Sequence, residues 1–360
     1  MKEKINNIEL SSIMFLLLFS SCLGIIPYVT IQLVDIDAYI SSIIGGIIGL
    51  IPLFIMIYIF NYEVDSPIYI KTKLIFGKII GTVINIILII VYLVIIVTML
   101  FNVSNFIISQ YLTNTPLFLV TLTLGMTALH TVNKGMYTIS KISFIYVVIT
   151  LIFYIVGFIG IFPETEIGNI KPILEFGITK PFCTGLIYTL LFTSPMYSIL
   201  VIPKNSIENN DKTNKYLIIT YLLIAIMIFI VIIVTSTSLG KYLVRLYQYP
   251  PYIALKKISI FGFIDRIENF LSIQWILSAF IGLTIPIYYV KSSIKEKNNK
   301  LITLIIVIIA ICTSTWLFKS NTNFNNYLKS TYPYILIIPL IIYFIIFIII
   351  FIKKRYKKIK

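Results

Sequence analysis

The sequence predicts an all-α integral membrane protein with ten transmembrane helices, and three observations carry that prediction. Of its 360 residues, 59% are hydrophobic and only 12% are charged, about half the charged share of an ordinary soluble domain. The apolar residues gather into runs near the roughly 20 residues that a helix needs to cross a bilayer. Basic residues alternate strongly between the gaps that separate those runs. Together these features exclude a soluble enzyme with a solvated surface, and a disordered chain as well.

Ten runs meet the length requirement: 10–31, 38–60, 80–106, 115–132, 140–162, 181–203, 216–239, 267–290, 301–319 and 333–352. Proline or glycine punctuates most of the gaps, as at Pro116, Pro163, Pro181 and Pro250-Pro251, where chain breaks are expected. The stretch 66–79 is too short and too basic to span, and predicts an amphipathic helix at the interface. With ten spans both termini share a side. That side holds 20 of the 29 lysines and arginines, so the positive-inside rule places the termini in the cytoplasm. An odd span count would break this alternation. The net charge of +15 therefore reports topology, and no nucleic-acid partner is expected. Phe19-Ser20-Ser21-Cys22 faintly resembles a lipoprotein cleavage box, but Glu9 precedes the apolar run, and the segment is retained as span one. The tail Lys353-Lys354-Arg355-Tyr356-Lys357-Lys358 anchors the last helix and meets anionic lipid headgroups, at about 1 kcal/mol per basic residue.

Polar side chains and broken helices survive in lipid only where they face protein or a water-filled cavity. Span one contains Ser20-Ser21-Cys22-Leu23-Gly24-Ile25-Ile26-Pro27, and span six contains Thr193-Ser194-Pro195-Met196-Tyr197-Ser198. Both are weak points in the helix ladder. They sit five spans apart, and breaks at matching positions of two halves point to a transporter-like binding site. Proline kinks that serve packing alone would leave the same pattern. On span three, Thr98, Asn102, Asn105 and Ser109 share one helical face that lines a cavity or bonds to neighbouring helices. On span eight, Glu268, Ser272 and Trp275 share a face. Arg266 and Glu268 are two apart and each needs a partner elsewhere; they read as an interfacial cluster beside a tryptophan anchor or as a charged lock. Asp265 could cap that helix.

Catalytic chemistry has no footing in the spans. His130 is the single histidine, and Cys22, Cys183 and Cys312 lie far apart in apolar runs, which reads as buried free thiols. No metal set, nucleophile–base pair or paired carboxylates appears, so neither an enzyme nor a cofactor is expected. The 14 acidic residues fall at span ends or in loops, which weakens a proton-driven pump and leaves sodium coupling open.

Pro251-Tyr252, Lys257-Ile258, Phe263-Ile264-Asp265-Arg266-Ile267-Glu268-Asn269-Phe270-Leu271 and Trp275 resemble, in that order, the spore germinant receptor B-subunit family. Further family hallmarks are Gly24-Ile25-Ile26-Pro27, Asp37-Ala38-Tyr39-Ile40, Phe76-Gly77-Lys78-Ile79-Ile80-Gly81, Thr115-Pro116, Ser140-Lys141 and Asn169-Ile170-Lys171-Pro172-Ile173-Leu174-Glu175-Phe176-Gly177. The similarity runs along essentially the whole chain. It implies an amino acid–polyamine–organocation (LeuT-like) fold of two inverted five-helix repeats, with spans one and six broken. The chain would then be a single transmembrane permease-like domain over 1–360: repeat one about 10–162, repeat two about 181–319, a final helix about 333–352 and a basic cytoplasmic tail 353–360. It also implies the permease-like subunit of a nutrient receptor in the spore inner membrane, binding a small germinant such as an amino acid beside an A-type membrane subunit and a C-type lipoprotein. The family often has a small residue and a glutamate in mid-span six, where this chain reads Ser194-Pro195-Met196-Tyr197.

The resulting expectation is a pocket built from Ser21, Gly24 and Ile25 of span one and from Thr193, Ser194 and Tyr197 of span six, flanked by Asn102 and Asn105. Pro27 and Pro195 shape the breaks, and Arg266, Glu268 and Trp275 act as structural or gating residues. A stand-alone amino-acid transporter of the same superfamily fits the same features, since fold alone does not specify function.

Overall fold

The computed structural model describes residues 4–175, 177–257, 266–294 and 300–359. Among them every regular element is helical, apart from one isolated parallel bridge between Ile5 and Ile207. Asp265 and its neighbours 258–264 lie outside the described residues, so the expected cap of span eight does too.

The first run opens on a capping box. The Asn6 side chain accepts from the Glu9 N–H at 2.8 Å and the Glu9 carboxylate accepts from the Asn6 N–H at 3.2 Å, satisfying two otherwise orphaned donors. Helix α1 (Asn7–Phe19) then stops, and α2 (Ile26–Val34) resumes after six residues. Ser20 turns its hydroxyl back onto the Leu17 carbonyl at 2.6 Å. Pro27 sits in the first turn of α2, where a missing N–H costs nothing. Run one is therefore interrupted near its middle, and α1, at 13 residues, is too short to cross a bilayer alone.

A single 3-10 turn leads to α3 (Ala38–Ile48) and α4 (Leu50–Phe60), separated at Gly49. A Cβ on Gly49 would lie 2.0 Å from the Tyr221 hydroxyl, so only glycine allows that tyrosine to reach the Gly46 carbonyl, to which it donates at 2.9 Å. The short basic stretch forms α5 (Ile68–Phe76), as its composition predicts, and Gly77 at φ +84° turns the chain into α6 (Lys78–Gln110). Helices α7 (Leu117–Lys134), α8 (Met136–Ile161) and α9 (Thr179–Thr193) follow. The sixth run passes from α9 into a 3-10 stretch, Ser194–Val201, with Pro195 near its start. The rest is α10 (Thr213–Leu246), α11 (Pro250–Lys256), α12 (Glu268–Ile294), α13 (Lys300–Leu317), α14 (Asn321–Ser330) and α15 (Tyr332–Ile359).

Among the described residues eight stretches are long and apolar enough to cross a membrane, one of them Ile26–Phe60, which contains α2, α3 and α4 together. The difference from ten has a local cause. Run one is split, and α7, with its four threonines, His130, Asn133 and Lys134, does not reach the same apolarity.

Helix α3 packs on α9, α10 packs on α1 and α3, and α12 is enclosed by α1, α6 and α8. The outer surface is apolar: Ile79 is 81% exposed, and Ile80, Val83, Ile86 and Ile90 continue its face along α6. That is a surface for lipid, and the chain is a multi-pass integral membrane protein. Two of the three thiols expected inside, Cys183 and Cys312, lie on that surface; Cys22 is buried.

Lys71 ties α5 to the bundle. It is 1% exposed, and its ammonium donates to the Ile59 carbonyl at 2.9 Å and to that of Phe60 at 3.3 Å, closing the end of α4. Burial pulls its pKa down from 10.5 to about 7. The folded form therefore binds fewer protons than the undocked form between those values, so docking strengthens as pH rises from about 7 towards 10.5 and is weakest below about 7, by at most about 1.4 kcal/mol per pH unit. Hydrogen-exchange protection factors over 68–76, which take out the intrinsic pH dependence of amide exchange, are expected to rise across that window in the wild type and to lose this dependence in Lys71→Met. An unchanged pH profile in the variant would remove Lys71 from the account.

Candidate functional site

Residues 20–25 leave a gap in a helix ladder inside a buried bundle, and three neighbouring elements fill it. From α12, the Trp275 indole donates to the Ser20 carbonyl at 2.7 Å, pairing an acceptor at the end of α1. Gly282, two turns further along α12, brings its backbone against Ser20; a Cβ there would lie 2.7 Å from the Ser20 side chain. From α6, Asn102 lies directly on Gly24. A Cβ on Gly24 would meet Asn102 Oδ1 at 2.6 Å, Asn102 Nδ2 at 2.9 Å and the Tyr249 ring at 2.7 Å. Glycine is required here by close approach alone.

Asn102 is fully buried, yet neither atom of its carboxamide has a hydrogen-bond partner among the described residues. An unpaired buried polar group costs about 1–3 kcal/mol, and such groups in native proteins mark functional positions or bound water. Its neighbour one turn on behaves differently. Asn105 Nδ2 donates to the Tyr249 hydroxyl at 3.0 Å and to Gln248 Oε1 at 3.3 Å, and the Tyr249 hydroxyl donates to the Asn102 backbone carbonyl at 3.3 Å. Above them stands an aromatic cluster. Phe106 packs edge-on against Tyr249, Tyr252 and Trp275 at centroid distances of 4.9, 5.2 and 5.1 Å.

The structure thus brings Ser21, Gly24, Ile25, Asn102, Asn105 and Trp275 together around one interruption. Ser21 and Ile25 are buried within it, and the Ser21 carbonyl accepts from the Ile26 N–H at 2.9 Å, closing the turn into α2. The polar groups of run six point elsewhere. Thr193 bonds within its own helix to the Thr189 carbonyl at 2.7 Å, and Ser194 donates to the Leu336 carbonyl of α15 at 3.0 Å. Tyr197 donates to the Pro52 carbonyl of α4 at 2.9 Å and stacks on Tyr343 at 4.2 Å. These residues join run six to α4 and α15.

Tyr249, Gln248 and Gly282 escaped the sequence reading. Tyr249 carries one legible signal, its place immediately before Pro250-Pro251. Arg266 and Glu268 form no ion pair among the described residues. The three ion pairs there are Glu9–Lys141, Glu175–Lys241 and Asp35–Arg245. Asp35 grips Arg245 at 3.0 Å, and Asp37 accepts from the Leu174 N–H at 3.1 Å, so the α2–α3 turn is bonded both to the end of α10 and to the segment after α8. On the opposite face the N-terminal segment is held by backbone bonds, Ile5 N–H to the Ser206 carbonyl at 3.0 Å and Glu208 N–H to the Ile5 carbonyl at 2.9 Å. The buried Glu9 carboxylate meets Lys141 and Ser140 at the start of α8.

Residues 4–324 match the family model described as spore germination protein. Spore germination protein A2 of Bacillus subtilis (strain 168) is 22% identical over 313 residues, covering 85% of each chain. Spore germination protein YndE of the same organism is 25% identical over 285 residues, covering 76% of this chain and 75% of its own. Among solved structures, a nucleobase-cation-symport-1 family transporter in a closed conformation with bromovinylhydantoin bound superposes with a TM-score of 0.60. It is 15% identical, and the match covers 91% of this chain and 75% of the other. The fold is that of a membrane transporter.

Replacing Asn102 by leucine, which is close in size, removes the unpaired carboxamide. The ligand-free protein is expected to melt at an equal or higher temperature, reflecting a gain of up to about 1–3 kcal/mol, while ligand response is lost. A marked fall in melting temperature would show that Asn102 serves structure rather than a ligand.

Proposed function

We propose a function from one premise: the chain belongs to the spore germination protein family. In our reading it is the permease-like B subunit of a spore nutrient germinant receptor, and it holds a small germinant, an amino acid, at the interruption between α1 and α2. The observation that carries this reading is the Asn102 carboxamide, buried and unpaired against Gly24. An α-amino acid matches that surrounding. Its carboxylate suits the N-terminal end of α2, where the helix dipole favours an anion. Its ammonium suits a carboxamide oxygen and the carbonyls at the end of α1. A neutral wall of Phe106, Tyr249 and Trp275 strengthens both contacts by excluding water.

The packing pattern supports the ten-span arrangement of two inverted repeats. Helix α3 of the second run packs on α9 of the sixth, and α10 of the seventh packs on α1 of the first. Likewise α1 meets α12 of the eighth run, and the 3-10 stretch of the sixth meets α6 of the third. Each broken run thus meets equivalent neighbours, as a two-fold relation between halves would produce. In this reading the site spans both breaks, with Thr193, Ser194 and Tyr197 entering when the protein changes state. The face with both termini is cytoplasmic, supported by 20 of 29 basic residues, and the membrane is the inner membrane of the spore. A germinant that binds one state better shifts the population towards it, and an A-type membrane subunit and a C-type lipoprotein receive the change through α5 or the loops of that face.

A stand-alone amino-acid transporter is the second reading, favoured by the likeness to a symporter fold. Dipicolinate release from spores with and without the gene, tested across single amino acids and sugars, separates the two. Sensing predicts loss of release to one nutrient, restored by the gene, and a fall of about tenfold or more, equivalent to 1.4 kcal/mol, in Gly24→Leu at normal protein level. Normal release in Gly24→Leu sinks the site at run one. Release unchanged to every nutrient, together with gene-dependent uptake of labelled amino acid by vegetative cells, assigns the protein to transport instead.

A further inference from the structure

We propose that the protein has a second, lateral binding site, between α8, α10, α11 and α12, for a small uncharged amphiphile that enters from the bilayer: an apolar body bearing one hydroxyl. A cavity of about 40 Å³ there is lined by Phe153 and Gly157 of α8, Val231 of α10, Leu255 of α11, and Leu271 and Gln274 of α12. That space admits the hydroxyl end of the ligand, with its apolar body lying towards the outer surface, and a mostly apolar wall with few polar groups is the usual character of small-molecule sites.

Three observations define the ligand. The first is access. Ile152, Ile155 and Ile159 flank the lining residues of α8 and are 54%, 56% and 63% exposed, and Ile226 of α10 is 58% exposed, so the pocket sits beside the apolar outer surface. Tyr154, which also lines it, ties α8 to α10 by donating to the Met227 carbonyl at 3.1 Å. The second is the Gln274 carboxamide. It is 1% exposed, and its oxygen has no hydrogen-bond partner among the described residues. A hydrocarbon would leave that oxygen unpaired, a charged group would find no counter-charge in the lining, and a hydroxyl would pair it. The third is Gly157. A Cβ there would meet only the Leu255 side-chain tip, at 3.8 Å, so the pocket has room exactly where a larger residue would project.

The site has a direct route to the interruption in run one. Gln274 adjoins Trp275, the donor to the Ser20 carbonyl, and Pro251 of the pocket adjoins Tyr252, which packs on Phe106. An occupant wedged here braces α11 and α12, the two elements that hold Trp275 and Tyr249 in place.

Photolabelling of the full-length protein in nanodiscs tests the proposal, using a diazirine-bearing octanol and the matching diazirine octane without the hydroxyl. Labelling by the alcohol is expected to concentrate on 151–161 and 268–277. It should fall about tenfold, the scale of one lost buried contact, in Gly157→Leu and by a smaller factor in Gly157→Ala, which guards against a misfolded leucine variant. Gln274→Leu should reduce labelling by the alcohol and spare labelling by the alkane. Even labelling over all lipid-facing helices, unaffected by either Gly157 variant, would overturn the site. Equal loss or equal retention of both probes in Gln274→Leu would overturn the assignment of the hydroxyl.

Discussion

The structure depends on an interrupted helix inside an apolar solvent. In lipid, a backbone group freed from its ladder must find a partner within the protein, and residues 20–25 free several at once. The partners come from far along the chain. Trp275 pairs the Ser20 carbonyl, and Asn102 and Tyr249 close over Gly24. The interruption therefore dictates where α6, α12 and the approach to α11 must lie, and each of these needs a particular side chain at the contact. Gly24 and Gly282 are small because the Asn102 carboxamide and Tyr249 ring at the first, and the Ser20 side chain at the second, occupy the space a side chain would need.

The two faces of the bundle are closed by different chemistry. The N-terminal face is held by backbone bonds from Ile5 to 206–208, by Asn7 reaching the Glu208 and Asn209 carbonyls, and by the buried Glu9 beside Lys141. The other face is held by Asp35 on Arg245, Glu175 on Lys241 and Asn169 on the Thr237 carbonyl. The two ends of the bundle are thus held by separate sets of contacts.

A third feature joins the sixth run to the rest. The hydroxyl of Tyr343 lies 3.3 Å from that of Tyr92 and 3.4 Å from that of Tyr289, while its ring stacks on Tyr197. Helices α6, α12 and α15 thus meet the 3-10 stretch through four buried tyrosines, each amphipathic enough to fill space and still satisfy a polar tip. From α15 the contact continues outward, since Lys353 donates to the Ile75 carbonyl at the end of α5 at 3.1 Å.

The helical character of the chain, its membrane setting, the split in run one and the short helix α5 were all legible in the sequence, because apolar run length, proline and glycine act locally. The stripe of Asn102 and Asn105 was legible for the same reason, helical periodicity being a short-range property. Which of those two amides is left unpaired was not. Asn105 is satisfied by Gln248 and Tyr249, residues more than 140 positions away, and no local pattern announces such a pairing. The charged pairs followed the same division. Arg266 and Glu268 stood out by their sequence position, whereas Asp35 and Arg245 meet only because α2 and α10 converge. Sequence by itself determined where this chain enters lipid and where its helices yield, since those follow from the hydration cost of each residue and its own backbone. Tertiary structure alone decided which polar groups answer each other across the bundle, because in an apolar solvent that choice rests on long-range geometry.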